Sequence, residues 1–415
     1  MTVLAIHAGR GGVCAIVVSA TGDVVARGHE EFAQHLPHPG WVEHAPEELW
    51  RATLGATRSA VEQADASELR SIGVTNQRGT VLLWDRETLG SPRHGIGSLD
   101  QRAAETCSRL RDAGHEGRVL ELAGLRLDPS SSATRLSWLA EHEPRTWRLV
   151  ESGRYAVGSV ESYLIARMTR GLEHVTDVSN ASRTLLFDLA AGDWSDELCA
   201  LFGVPRDALP ELVPSWGELA VTDPRSFLGL ELPVAGIAGE RQAALFGQTC
   251  FDVGEAQCTL GARSHVLLTT GTELRRSEPG VLPTAAWRAP AGELTYALEG
   301  AIALPEASAQ WLGDGAPAAA ERATLEAIAF AIRDVLGTVH GTSLLRVDGH
   351  AAANDLLCQL HADLLGIPVE RPREIETAAL GAALLAGLGA GLWESFGQLR
   401  TVRQLERSFA PAEPG

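Results

Sequence analysis

Two short glycine-bearing stretches carry residue types suited to phosphate chemistry. Gly9-Arg10-Gly11-Gly12 lies near the start of the chain and Gly261-Ala262-Arg263 in its second half. Glycine lets backbone N–H groups approach an anion closely, and arginine adds a planar charged fork that grips phosphate or carboxylate. All 35 basic side chains are arginine, because the sequence contains no lysine. That excludes a lysine Schiff base, a Ser-Lys nucleophile and a P-loop built round its lysine. Cys14, Cys107, Cys199, Cys250, Cys258 and Cys358 are scattered without the spacing of a zinc site or a disulfide scaffold. His7, His265 and His350 fall on three separate loops with no ligand spacing, so no metal site is assigned.

The elements that must position these loops repeat one grammar. Residues 3–6 and 15–19 read as strands flanking the first glycine loop, Thr21-Gly22-Asp23 turns the chain, and 24–31 returns as a third strand. A helix follows from Pro46, with Leu49, Trp50, Leu54 and Val61 on one face, and 71–75 reads as a buried strand. In the second half, 234–238 is a strand ending at Gly239, 240–249 a helix, and 256–260 with 265–270 a hairpin around the second glycine loop. Helices are expected at 321–339, 353–365 and 378–392, with a strand at 344–349. The last helix is rich in Gly and Ala and reads as a closely packed helix, too short to span a bilayer comfortably. Two similar α/β halves imply a cleft with a phosphate-sized loop on each wall. The boundary is expected after Pro233, giving domains 1–233 and 234–415, since the chain is too long for one comfortable core.

Composition narrows the partners. The 415 residues are 45% hydrophobic and 21% charged, with a formal net charge of −18. Such an acidic excess argues against sequence-independent binding to nucleic acid or anionic membrane. No basic segment precedes an apolar run at the start, so no signal peptide is read and a cytoplasmic protein is expected.

Several stretches resemble the FGGY family of carbohydrate kinases, nearest its glycerol kinases. They are Gly40-Trp41-Val42-Glu43-His44, Thr75-Asn76-Gln77-Arg78, His174-Val175-Thr176-Asp177 with Asn180-Ala181-Ser182-Arg183-Thr184, and Gly236-Ile237-Ala238-Gly239. Further along come Gln242-Ala243-Ala244-Leu245-Phe246-Gly247-Gln248, Tyr296-Ala297-Leu298-Glu299-Gly300, Arg346-Val347-Asp348-Gly349 and Ala379-Leu380-Gly381-Ala382-Ala383, all in the order that family shows. The resemblance implies an α/β fold of two ribonuclease-H-like domains (actin/hexokinase-type, ASKHA) around a cleft, with ATP and substrate meeting in it. After Gln310-Trp311-Leu312 the family continues through a β-rich section that is largely absent here, so the second domain is expected to be truncated.

Carried over position by position, the resemblance implies a site with altered chemistry. Its first phosphate loop, Asp-Gln-Gly-Thr-Thr-Ser in glycerol kinases, corresponds to His7, Ala8, Gly9, Arg10, Gly11 and Gly12, which puts a histidine where the magnesium-holding carboxylate stands. Its second loop corresponds to Gly261, Ala262 and Arg263, its adenosine-contacting pair to Gly349 and His350, and Asn354 is retained. On the polyol side Arg78 is retained, while Gly79, Ser98 and Ser130 replace a glutamate, a tryptophan and a tyrosine. Glu240 stands for the aspartate base, followed by Arg241. These departures favour a protein that has given up ordinary ATP-dependent polyol phosphorylation. Its cleft would then serve non-kinase acid/base chemistry on an anionic small metabolite, with His7 and Glu240 moving protons, or it would act as a binding or regulatory pseudokinase. The alternative is an active ATP-dependent carbohydrate or polyol kinase with an altered substrate. ATP and magnesium are expected only under that alternative, and relatives imply a homodimer.

Overall fold

A computed structural model describes residues 1–261, 263–276, 280–303, 318–337 and 341–412. The opening strands β1 (Thr2–Ala8), β2 (Gly12–Ser19) and β3 (Val24–Glu31) form an antiparallel meander. β1 is buried on both faces, which fits its continuous apolar run. Helix α1 (Pro46–Glu62) covers β2 and β3, with Pro46 in its first turn and Leu49, Trp50, Ala52 and Ala56 turned inward. β4 (Leu69–Asn76) then joins β1 in parallel, and β5 (Trp216–Val221) and β6 (Pro233–Gly239) complete a six-stranded sheet of order β5-β6-β4-β1-β2-β3. β6 pairs with β4, so the boundary expected at 233/234 falls at the start of a strand of this first sheet.

After helix α2 (Glu240–Gly247) the same plan returns. β7 (Glu255–Thr259), β8 (Arg263–Gly271), β9 (Val281–Arg288) and β10 (Leu294–Ala303) pair antiparallel, while β11 (Leu344–Asp348) lies parallel to β7. β12 (Val369–Pro372) and β13 (Leu405–Phe409) finish a seven-stranded sheet of order β9-β10-β8-β7-β11-β12-β13. Each sheet thus places a glycine loop between its first two strands. Helices α3 (Ala318–Gly337) and α4 (Asp355–Leu365) pack together on the second half. The joint where the shortening is expected, 304–317, lies outside the described residues.

Helix α5 (Thr377–Gly389) locks the halves together, packing on α2 and across β6, β4 and β1. Its small residues allow this approach. A Cβ on Gly381 would stand 1.8 Å from the Ala243 carbonyl oxygen, so any side chain there drives α5 and α2 apart. Among the described residues no helix is long and apolar enough to cross a membrane.

Candidate active site

The first glycine loop is the hairpin between β1 and β2. Gly9 N–H donates to the Gly12 carbonyl at 2.9 Å, closing the turn. Gln34 Nε2 donates to the Arg10 carbonyl at 2.9 Å and Gln77 Nε2 to the Gly9 carbonyl at 3.1 Å, pinning it from outside. Gln77 follows the end of β4, so the strand parallel to β1 delivers both a brace for the loop and Arg78 to one edge of the sheet.

Glu240 opens α2 at the end of β6, and buried hydrogen bonds fix the turn before it. Gly239 N–H donates to Ser179 Oγ at 2.8 Å, and Ser179 Oγ–H donates to Asp177 Oδ1 at 2.9 Å. Asp177 also accepts from Ser215 Oγ at 2.9 Å and caps the turn through the Ser179 and Asn180 N–H groups. Asn76 Nδ2 donates to Asn180 Oδ1 at 3.2 Å, tying the bracket to β4. The segment 174–184 therefore works as a frame for Glu240. His174 is spent on structure: its Nε2 meets the Val157 carbonyl at 3.0 Å and its ring packs on Trp84.

Two cavities meet at Glu240. The first, about 500 Å³, is lined by Arg78, Gly79, Ser98, Asp128, Ser130 and Arg183 among others. The second, about 340 Å³, is lined by His7, Gly9, Thr259, Asp348, Gly349 and His350 among others. Glu240, Arg10, Arg241 and His265 line both. Among the described residues Arg10 is the cation paired with Glu240, with Nη2 3.9 Å from Oε1.

In the first cavity Gly79 has φ +80°, and a Cβ there would sit 2.8 Å from the Ser130 carbonyl oxygen, so only glycine fits. Its carbonyl accepts from Arg135 Nη1 at 2.5 Å, and Arg135 Nη2 reaches the Asp100 carbonyl at 3.4 Å. Asp100 in turn accepts from Val42 N–H at 2.6 Å and holds Arg102, which stacks 3.7 Å over Trp41. The motif 40–44 thus clamps the 98–102 wall. Ser98 Oγ is buried without a hydrogen-bond partner.

Arg78 makes two parallel 2.8 Å hydrogen bonds to Glu299 and one of 3.0 Å to Gln242 Oε1. Arg241 also pairs with Glu299, and Arg183 Nη1 lies 3.7 Å from its other oxygen. Burial alone pushes the Glu299 carboxyl up, but Arg183, Arg78 and Arg241 together reverse this and hold it well below the usual carboxylate range. Burial brings Arg241 down to about 10. Burial, reinforced by Arg241, brings His265 down to about 2, so its ring is neutral near physiological pH. In the second cavity, burial pushes Asp348 up to about 6 despite hydrogen bonds from Thr377 and Gln257. His7 Nε2 is buried there without a partner. Among the described residues no three His, Cys, Asp or Glu side chains are grouped to hold a metal ion.

The sequence-expected residues fall into three groups. Arg78, Gly79, Ser98 and Ser130 line the first cavity, His7, Gly9, Gly349 and His350 the second, and Arg10, Glu240 and Arg241 both. Gly11, Gly261 and Asn354 line neither; Asn354 Oδ1 instead caps α4 by accepting from Leu357 N–H at 3.1 Å. Ala262 lies outside the described residues, and only the backbone of Arg263 is described. Asp128, Arg183, His265, Glu299 and Asp348 were not singled out as site residues. Of these, Arg183, Glu299 and Asp348 sit inside stretches that carry the resemblance.

Residues 2–247 match the N-terminal domain of the FGGY family of carbohydrate kinases, and 313–390 its C-terminal domain. The glycerol kinase of Bdellovibrio bacteriovorus is 38% identical over 466 aligned positions, covering 98% of this chain and 94% of that protein. The chain belongs to the FGGY family of carbohydrate kinases. The glycerol kinase of Bordetella parapertussis is 39% identical over 474 positions, covering 99% of this chain and 93% of its own length. Both alignments exceed the 415 residues present, so these FGGY relatives carry segments that this member lacks. The fold matches the crystal structure of Plasmodium falciparum glycerol kinase with ADP, with a TM-score of 0.89 at 24% identity over 99% of this chain and 94% of that one. It also matches xylulose kinase from Rhodospirillum rubrum, with a TM-score of 0.86 at 22% identity over 99% and 94%.

These findings correct the expectation of a pseudokinase or a cleft rebuilt for non-kinase chemistry. Likeness to proteins named glycerol kinase, running through almost the whole chain, favours an active kinase. The geometry supplies the physical reason. Arg78 and Arg241, which an anionic metabolite would need as free cations, are committed to Glu299. Glu240 keeps a base-like place between two cavities instead of forming an isolated pair with His7.

Proposed function

We propose that this FGGY protein is an active ATP-dependent kinase that phosphorylates a hydroxyl of a polyol or carbohydrate, with glycerol the first acceptor to test. The observation that carries the reading is the position of Glu240 where the two cavities join. Phosphoryl transfer needs an acceptor hydroxyl and a phosphoryl donor brought in line, with a base at the point of contact. The first cavity takes the acceptor. Arg78 and Ser98 offer donors to its hydroxyls, and the small side chains of Ser98 and Ser130 leave space beyond a three-carbon polyol. The second cavity takes the nucleotide. His7 Nε2 and Arg10 Nε are buried there without partners, and such atoms are satisfied by an entering phosphate.

Glu240 accepts the proton of the attacking hydroxyl. The Asp177–Ser179–Gly239 bracket holds the turn that carries it. Glu299 keeps Arg78 extended along the acceptor wall. A magnesium ion takes most ligands from phosphates and water plus one or two carboxylates, and Glu240, Asp348 and Glu376 are the acidic residues among the described lining of the second cavity; the ion would neutralise phosphate charge. Six free thiols agree with a reducing, cytoplasmic setting for such a kinase.

The test measures ADP formation by the purified protein with ATP and a panel of glycerol, longer polyols and sugars. Acceptor-dependent ADP release supports the reading, and its absence across the panel overturns it.

A further inference from the structure

The family loop that meets the phosphates carries hydroxyl side chains, and this chain has glycines and Arg10 instead. Arg10 has four properties in combination. It lines both cavities. Its backbone is held independently of its side chain, since Gln34 Nε2 donates to the Arg10 carbonyl at 2.9 Å and the adjoining Gly9 and Gly12 close the hairpin. Its Nε is buried without a hydrogen-bond partner. Its guanidinium stands 3.9 Å from Glu240, too far for a hydrogen bond and near enough to share one reacting centre.

The other residues common to both cavities differ from it, although Arg241 Nε and His265 Nδ1 are also buried without partners. Arg241 is paired with Glu299, His265 is held neutral, and Glu240 is the carboxylate. Among the described residues Arg10 is therefore the cation lining both cavities that has no carboxylate within hydrogen-bond distance. An uncompensated buried donor beside a phosphate path is stabilised by the charge that enters it.

We infer that Arg10 is a catalytic residue of this chain, a built-in arginine that grips the phosphoryl group during transfer. The inference rests on the kinase reading above. In the step it serves, the acceptor hydroxyl oxygen forms a bond to the γ-phosphorus. The bond from that phosphorus to the β,γ-bridging oxygen breaks, and its electron pair leaves with ADP. The hydroxyl proton goes to Glu240. Negative charge spreads over the three equatorial oxygens as the group passes between the cavities. The Arg10 fork and Glu240 both border that point, 3.9 Å apart where the cavities join. The arginine takes over charge stabilisation that hydroxyl and backbone donors supply in the family loop.

The test compares wild type with R10A and R10K. Arginines of this kind contribute about 10³–10⁵ in kcat. R10A is expected to lose about 10³ in kcat, with R10K recovering a small part because lysine is a point charge without the fork. Calorimetry supplies the readout independent of turnover. Wild type is expected to bind ADP with aluminium fluoride and acceptor at least about 100-fold more tightly than ATP alone, and R10A to lose that gap while its ATP affinity changes less than about 10-fold. Added guanidinium is expected to restore turnover to R10A, an effect a merely structural role would not give. Turnover by R10A within about threefold of an active wild type overturns the role of Arg10 alone, given the size expected of such a residue. A loss confined to ATP affinity also overturns it. A wild type that neither binds ATP nor forms product overturns the kinase reading, and the role of Arg10 with it.

Discussion

Glu299→Gln is the perturbation that most directly probes how the acceptor wall is held. The substitution keeps size and an acceptor oxygen but removes the charge shared by Arg78, Arg183 and Arg241. At an effective dielectric constant of about 20, a unit pair at the 2.8 Å of Arg78 attracts by about 6 kcal/mol, and one at the 3.7 Å of Arg183 by about 4.5 kcal/mol. Desolvation of the buried ions offsets much of this, and removing one partner of such a cluster costs a net of about 3–5 kcal/mol. Screening reduces it little, because the Glu299 and Arg78 side chains are only 4% and 7% exposed. The three arginines left behind also repel one another. Urea unfolding followed by tryptophan fluorescence measures the loss.

The pH dependence has a definite sign. The folded carboxyl of Glu299 lies below its unfolded value, so its contribution is complete above the unfolded value, about 4.3. It is lost as pH falls through the folded value. The gap between wild type and E299Q should therefore persist from pH 8 to pH 5 and close only in strong acid. Freed from its brace, Arg78 should also leave the acceptor with a KM raised about 10-fold or more. A stability change under about 1 kcal/mol, or a gap that already closes between pH 7 and pH 5, would refute the shared-carboxylate reasoning.

Three other perturbations follow from the packing. Burial raises Glu161 to about 7 even though Ser159 and Thr176 donate to it; because the folded value exceeds the unfolded one, stability should fall between about pH 4.5 and pH 7. Glu161→Gln should remove that fall, on the order of 3 kcal/mol, in denaturation curves at pH 5 and pH 8, and an unchanged fall would be contrary. Gly381→Ala forces a methyl to 1.8 Å from the Ala243 carbonyl oxygen and should cost about 1–3 kcal/mol in unfolding free energy. Arg135→Lys cannot serve the Gly79 and Asp100 carbonyls together, so steady-state kinetics should show acceptor KM rising severalfold with nucleotide KM unchanged; equal rises in both would contradict its place on the acceptor wall.

Much of the scaffold was legible because periodicity reports burial. The apolar run of β1, the turn at 21–23 and Pro46 at the start of α1 each express a local rule, and the structure keeps the expected bounds to within a few residues. The Gly- and Ala-rich helix was readable as closely packed, though not which elements it would approach. The site was harder. Glu299 lies inside a visible motif, yet its role depends on Arg78, Arg183 and Arg241 arriving from 221, 116 and 58 residues away, which no local pattern encodes. Asn354 is expected at the nucleotide by resemblance and caps α4 in the fold, since an asparagine before a helix suits both descriptions. Single substitutions in the sequence overstate the loss of function, because they do not show that Glu240 lies at the junction or that the retained Arg78 and the new Arg241 are both paired with Glu299.

The central claim, that Glu240 serves ATP-dependent transfer to a polyol hydroxyl, is tested most directly by ³¹P NMR of wild type and E240Q with ATP, magnesium and glycerol or a longer polyol. Wild type should convert ATP to ADP and an equal amount of a new phosphomonoester. E240Q should form it about 10²–10⁴ times more slowly while still binding nucleotide. Equal rates in the two proteins, or a wild type that yields no phosphomonoester from any acceptor, would contradict it.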